Sequence, residues 1–315
     1  MLIVCINDSN HAEKFNPAKE VYIMETFFEH LINGLIPGSM YALIALGYTM
    51  VYGIAKMINF AHGDIIMVGG YCLYIGLTVL HLPVWLTIVI AIAVCSFLGV
   101  AIEKVAYKPL RNAPSLAVLI TAIGVSYFLQ NLFLILFTST PKEVPSILPK
   151  GYCTIFGVNI SYITIITLVT TIIIMIVLTL FINKTRLGSA MRAVSEDKGA
   201  ASLMGINSNA IISLTFAIGS GLAAVAGILY VSQYKYIYPT MGALPGIKAF
   251  VAAVIGGIGS IPGAMIGGLA LGILEALTKA YISSTLLDAI VFGILIVILI
   301  FKPTGLLGKK RTEKV

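Results

Sequence analysis

Long apolar runs separated by short basic gaps dominate the chain. Runs near 31–52, 64–80, 84–102, 115–138, 161–182, 210–232, 263–281 and 285–301 each approach the roughly 20 residues a helix needs to cross about 30 Å of hydrocarbon. A ninth run, 247–258, has half that length and leads into GGIGSIPG at 256–263, where glycine and proline interrupt a helix. Bare backbone at membrane depth is tolerated only where protein or a water-filled cavity surrounds it, so this stretch is expected inside the bundle. The pattern predicts an all-α integral membrane protein, a polytopic helix bundle of about 8–9 spans with some short or broken.

Composition agrees. Of 315 residues, 59% are hydrophobic and 10% charged, with a mean hydropathy of +1.01, whereas a water-soluble domain carries about 25% charged residues. The net charge of +7 does not form the aromatic-interleaved patch of a nucleic-acid binder. It sits in the gaps between runs, where it fixes orientation by the positive-inside rule. Lys104, Lys108 and Arg111, then Lys184, Arg186, Arg192 and Lys198, then Lys302, Lys309, Lys310, Arg311 and Lys314 mark three segments expected to be cytoplasmic. The loop 139–160, rich in Pro, Gly and Ser, is expected outside. Placing both 183–209 and the tail inside requires the short run to cross as well. Residues 1–23 read as an N-terminal extension before a start at Met24, residues 24–302 as the transmembrane domain with 183–209 as its main cytoplasmic loop, and 303–315 as a basic tail.

Catalytic chemistry is sparse. Cys5, Cys72, Cys95 and Cys153 form no CxxC pair and suit small buried hydrophobes better than metal ligands. The nearest approach to a phosphate loop, GLLGKK at 305–310, has the wrong glycine spacing and no hydroxyl, so ATP is not bound by that means. Ionisable and amide groups inside spans are costly and therefore functional candidates. Asn59, His62 and Asp64 cluster in INFAHGD at 58–64, placed to line a pathway or to cap a half-helix. Glu275 and Lys279, one turn apart, suit a local pair, and Gln130 and Asn131 suit bonds to neighbouring helices. An ion-coupled carrier would need central carboxylates, and only Asp64, Glu275 and Asp288 are available. Small residues recur four apart, at Gly259, Gly263 and Gly267, at Ala264, Gly268, Gly272 and Ala276, and at Gly219, Ala223 and Gly227, which permits close helix contact within the chain or with another subunit.

Loop 183–209 carries a short helix signature. Ser195 is placed to N-cap it, Glu196 and Asp197 suit its positive end, Ala200, Ala201, Leu203 and Met204 form a small apolar face, and Gly205 stops it before Ile206. Such a helix docks on another protein or folds back on its own bundle.

Four stretches carry a resemblance: GSMYALIALGYTMVYG at 38–53, INFAHGD at 58–64, AVSEDKGAASLMGI at 193–206 and AVIGGIGSIPGAMIGG at 253–268. In this order they resemble the LivH-type permease of bacterial branched-chain amino-acid ABC importers, from about Met24 to the end. The resemblance implies the ABC importer permease fold in the inner membrane. It also implies a second, LivM-like permease, two ATP-binding subunits that hold ATP and Mg, an extracytoplasmic substrate-binding protein, and no cofactor or metal on this chain. It further implies that the segment around Arg192, Ala193 and 195–206 is a coupling helix gripped by an ATPase. Leucine, isoleucine and valine are the expected cargo, with urea, amides or other amino acids as alternatives within the same family, and an ion-coupled carrier outside it.

Overall fold

The computed structural model describes residues 17–308 apart from 112, 150, 156 and 157. Among the described residues eleven α-helices and four short strands follow one another. Helix α1 (Pro17–Ala55) is followed by α2 (His62–Tyr74), which a wide turn, Ile75–Val79, prolongs. Helix α3 (Val84–Ile102) continues in tighter and wider turns to Leu110, and α4 spans Ser115–Phe137. Strands β1 (Lys142–Glu143), β2 (Tyr152–Ile155) and β3 (Val158–Ser161) precede α5 (Tyr162–Lys184), α6 (Arg186–Glu196), α7 (Lys198–Leu203) and α8 (Ser208–Tyr234). The chain closes with β4 (Tyr236–Ile237), α9 (Ala243–Gly256), α10 (Ile261–Tyr281) and α11 (Leu287–Phe301).

Local chemistry sets several boundaries. The side chains of Ser161, Thr185, Asp197, Asn207 and Ser260 cap α5, α6, α7, α8 and α10 by accepting from backbone N–H groups of the first turn. Pro37 lies inside α1, where it removes a backbone donor. Two residues on, Ser39 Oγ donates to the Leu35 carbonyl at 2.6 Å, adding a bond beside the interruption.

Among the described residues seven helices are long and apolar enough to cross a membrane, and α9 and α11 are shorter apolar helices. Their ends sort into two faces. At one face Lys198 Nζ donates to the Ala55 carbonyl, Arg111 bonds Asn209, and the backbone N–H groups of Leu306 and Leu307 donate to Ile255 and Gly256. The described parts of all three basic segments therefore gather at one end of the bundle. At the other end β1 pairs antiparallel with β4, and β2 with β3. Because Ile237 belongs to the sheet end and Ile255 to the basic end, the chain between them traverses the bundle, and α9 completes a crossing shorter than its neighbours.

Two of these features differ from expectation. Helix α9 starts at Ala243, four residues before the apolar run, because Pro245 and Gly246 fall in its first turn, where a missing donor costs nothing. The 256–263 stretch is no break at membrane depth. It is the turn between α9 and α10 at the basic end, with Gly257 and Gly259 at φ +105° and +98°, conformations glycine adopts freely. The tail covers it so closely that a Cβ on Gly257 would lie 2.4 Å from the Gly308 nitrogen.

Helix α10 organises the core. A Cβ added at Gly268 would sit 2.3 Å from the Ala42 nitrogen, and one at Gly272 would sit 2.2 Å from Gly38, so this stripe receives α1. A second stripe, Gly263 and Gly267, receives α9 at Gly256 and Ala252. Gly219 and Gly227 of α8 meet α1 at Val51 and α2 at Ile66. These stripes serve packing within the chain, while added atoms at Gly259 would meet nothing within 4 Å. Few residues of α4 and α5 are buried, whereas α1 is buried over most of its stretch from Gly38 to Ala55.

Candidate functional site

The basic end carries the sequence-predicted segment in altered form. A full helix, α6, precedes the expected one, and Thr185 Oγ1 opens it by accepting from Gly188 N at 3.0 Å. Ser195 is therefore no N-cap. It lies in the last turn of α6 and donates from Oγ to the Arg192 carbonyl at 2.8 Å. Glu196 likewise closes α6 and does not stand at a positive helix end. Asp197 takes the capping role, its Oδ1 accepting from Gly199 N at 2.7 Å and Ala200 N at 2.9 Å to start α7. Asp197 alone has extended backbone there, which is what an N-cap requires.

Gly205, at φ +82°, stops α7 as expected, and Ile206 N donates back to the Ala201 carbonyl at 3.0 Å. The four apolar residues do not share one face. Ala201 is buried against the bundle, whereas Ala200 is exposed and Leu203 and Met204 stand 90% and 82% exposed. Met191 and Val194 anchor α6 in the core, Ala193 packs partly buried beside them, and Arg192 bonds back to Ile182 and Ser189. The result is a two-helix elbow, fixed on its inner side and offering two large apolar side chains outward.

Lys198, the first residue of α7, couples this elbow to α1 through its bond to the Ala55 carbonyl, 3.2 Å long. Burial, and secondarily the neighbouring Arg111 cation, hold its ammonium below the usual lysine range. Arg111 also bonds Glu103, and Glu103 Oε2 accepts from Ser213 Oγ at 2.6 Å, which joins the end of α3 to the start of α8.

A second polar cluster lies in the interior. Helix α2 begins there, after the chain folds back through 56–61. A Cβ on Gly242 would lie 2.0 Å from the Gly63 carbonyl oxygen, and Gly246 is nearly as close. The N-termini of α2 and α9 therefore meet backbone to backbone, a contact only glycine permits. His62 packs its ring 4.7 Å from Tyr48. Neither Asn59 nor Asp64 caps α2, whose N-cap is Ala61 without a side-chain bond. Asn59 Oδ1 accepts from the Tyr107 hydroxyl at 2.8 Å, and Asp64 Oδ1 accepts from Gln130 Nε2 at 2.9 Å. Gln130 thus bonds a neighbouring helix as expected, but Asn131 bonds its own helix at the Tyr127 carbonyl and faces outward. Asn59, His62 and Asp64 are all fully buried, so these groups hold helices together in this conformation and line no open channel.

A third site was not foreseen. Lys248 Nζ of α9 lies 2.6 Å from Glu275 of α10 and 2.8 Å from Asp288 of α11, and Tyr41 Oη of α1 donates to Glu275 at 3.0 Å. Glu275 therefore pairs across helices and not with Lys279, which points outward. An unpaired buried charge costs several kcal/mol, at least about 3, which is why a lone lysine in the apolar 247–258 run recruits two carboxylates. The signal was present in the sequence as a charge inside the shortest span.

Comparison with known proteins follows the same lines. Residues 30–300 match the family described as branched-chain amino acid transport system, permease component. A high-affinity branched-chain amino acid transport system permease protein, BraD of Pseudomonas aeruginosa, is 50% identical over 92% of this chain and 98% of its own. The LivH permease protein of Escherichia coli is 46% identical over the same shares. A probable branched-chain amino acid transport permease of Methanocaldococcus jannaschii is 29% identical over 88% of this chain and 91% of its own.

Proposed function

Because the chain belongs to the permease component family of branched-chain amino acid transport systems, we propose that it forms the membrane passage of an importer driven by separate ATP-hydrolysing subunits. It is a multi-pass membrane protein and a transport subunit, not an enzyme. Its cargo is the branched-chain amino acids leucine, isoleucine and valine. The basic end faces the cytoplasm by the positive-inside rule, which assigns the bundle to a cell membrane, the inner one in a two-membrane envelope. ATP and Mg belong on two partner ATPases. A second permease and an extracytoplasmic substrate-binding protein complete the assembly.

The observation that carries this reading is the elbow of α6 and α7. Leu203 and Met204 project away from the bundle, and exposed large apolar residues with no cover in their own fold suit a partner groove. The inner side of the same elbow is tied to α1 through Lys198 and Ala55. Closure of an ATPase dimer that grips Leu203 and Met204 therefore moves α7, and α7 pulls the end of α1. Helix α1 contacts α10, α8 and α9, so the displacement reaches the meeting point of the α2 and α9 N-termini, and the bundle alternates between two arrangements.

Uptake tests the cargo. In cells carrying the assembled transporter, uptake of labelled leucine is expected to fall with added isoleucine or valine and to be indifferent to urea or a short amide. The opposite order of competition would transfer the protein to another substrate class.

A further inference from the structure

The interior polar groups Asn59, His62 and Asp64 are sealed, so the cargo passes elsewhere. On the outer half of α9 and the start of α11 the bundle exposes a charge at membrane depth: the Asp288 side chain is 51% exposed. Helix α11 runs from Leu287 to Phe301 at the basic end, so at about 1.5 Å per residue Asp288 stands about 20 Å from that end, inside a hydrocarbon core about 30 Å thick. Glu275 stands about as deep on α10, which starts from the basic end at Ile261. An exposed carboxylate at such depth faces water or a polar partner, because hydrocarbon does not solvate it. Local charge is negative. Of the three cations in 208–301, Lys235, Lys248 and Lys279, only Lys248 meets the two acids. Lys235 and Lys279 are exposed, and neither comes within 4 Å of Glu275 or Asp288. Glu275, 2% exposed, is held by Lys248 and by the Tyr41 hydroxyl. Asp288 meets Lys248 through Oδ1, and among the described residues its other oxygen has no partner. The first turn of α11 favours its ionised form. Beside this group α9 exposes Leu244 and Ile247, one turn and one residue before Lys248, while everything after Lys248 on that helix is buried or half-buried.

We propose that this face lines the cargo passage, with Asp288 receiving the α-ammonium group of the amino acid and Leu244 and Ile247 meeting its branched aliphatic side chain. The assignment rests on the cargo reading above and adds where on this chain the cargo is held. A branched-chain amino acid is ionic at one end and aliphatic at the other, and the face has the same two parts side by side. Glu275 neutralises Lys248, which leaves Asp288 as the carboxylate open to a second ammonium. Lys248 has three N–H donors and faces two carboxylates, so one donor remains for the carboxylate of the cargo. A zwitterion adds no net charge at this depth, whereas a bare cation or anion does. The exposed stretch of α9 stops at Lys248, so the cargo reaches these residues from the outer side while the basic end stays closed. The second permease supplies the opposite wall.

The assembled transporter in vesicles, supplied with leucine-loaded binding protein and ATP, provides two readouts. In the first, Asp288→Cys is treated from the binding-protein side with a membrane-impermeant cationic thiosulfonate, and labelling is measured as the gain over the parent transporter. The cysteine is expected to react, and to react more slowly when leucine is being delivered. In the second, the maximal rate of leucine uptake is expected to fall about tenfold in Asp288→Asn, the loss of one charge-assisted contact, to recover in Asp288→Glu and to stay at the wild-type rate in Lys279→Gln. Lys248 keeps Glu275 as its partner in Asp288→Asn, and an unchanged unfolding midpoint checks that the helices stay packed. A cysteine that does not react, as under lipid or a tightly packed subunit, overturns the proposal, as does labelling that leucine leaves unchanged or wild-type uptake by Asp288→Asn. Failure of the wild-type transporter to take up leucine overturns the cargo reading itself, and that result shows before any variant is compared.

Discussion

Gly268→Ala destabilises the protein by about 3 kcal/mol or more, and Gly268→Leu leaves little folded material in detergent. A Cβ at this position lands 2.3 Å from the Ala42 nitrogen and 2.4 Å from its Cα, and backbone cannot rotate away as a side chain does. Helices α1 and α10 must separate, and with them the tight contacts at Gly34, Gly38 and Gly272. No hydrophobic force pulls helices together in lipid, so close packing of this kind supplies much of the association. Gly124→Ala is the control. Nothing lies within 4 Å of its added Cβ, in the middle of α4, so the change is neutral or stabilises by up to about 1 kcal/mol through helix propensity. Thermal unfolding of the two purified variants checks both signs, and equal stability would refute the packing argument.

Replacing Leu203 and Met204 together by glutamate lowers co-purification of the ATPase subunits about 100-fold, the effect of losing some 2–4 kcal/mol of anchor contacts. Leucine uptake falls in step. The unfolding midpoint of the isolated chain does not move, since both side chains are exposed. Other substitutions in this segment confound folding with docking. Charge reversal at Asp197 removes the two bonds that start α7, and a bulky residue at Ala201 strikes the bundle, because that side chain is 4% exposed. Normal uptake by the double variant would exclude these two residues as the grip.

The hydropathy pattern made most of the spans legible, because a run of some 20 apolar residues has few other uses. It was least informative where the chain departs from straight crossings. The segment 56–61 folds back so that α2 starts in the interior, and Gly63 against Gly242 shows why, yet a contact between residues so distant in sequence leaves no periodic trace. Lys248, Glu275 and Asp288 each stood in the sequence as isolated charges, and only the third dimension joins them. The elbow was half legible. Gly205 read correctly as a stop, but Ser195 was expected to open the helix, and backbone conformation decides that Thr185 and Asp197 cap while Ser195 does not. Hydrophobicity also failed to tell Ala201 from Leu203 and Met204, since the inward and outward positions of this short helix are equally apolar.

The central claim is that this bundle takes its power stroke through α7 from a separate ATPase. Purified permease subunits reconstituted in vesicles, with the binding protein and labelled leucine on the outer side, test it directly. Leucine is expected to accumulate only when the ATPase subunits and ATP are present on the α7 side, and not when hydrolysis is blocked. Accumulation against a gradient by the permease alone, without any ATP-hydrolysing partner, would contradict the account.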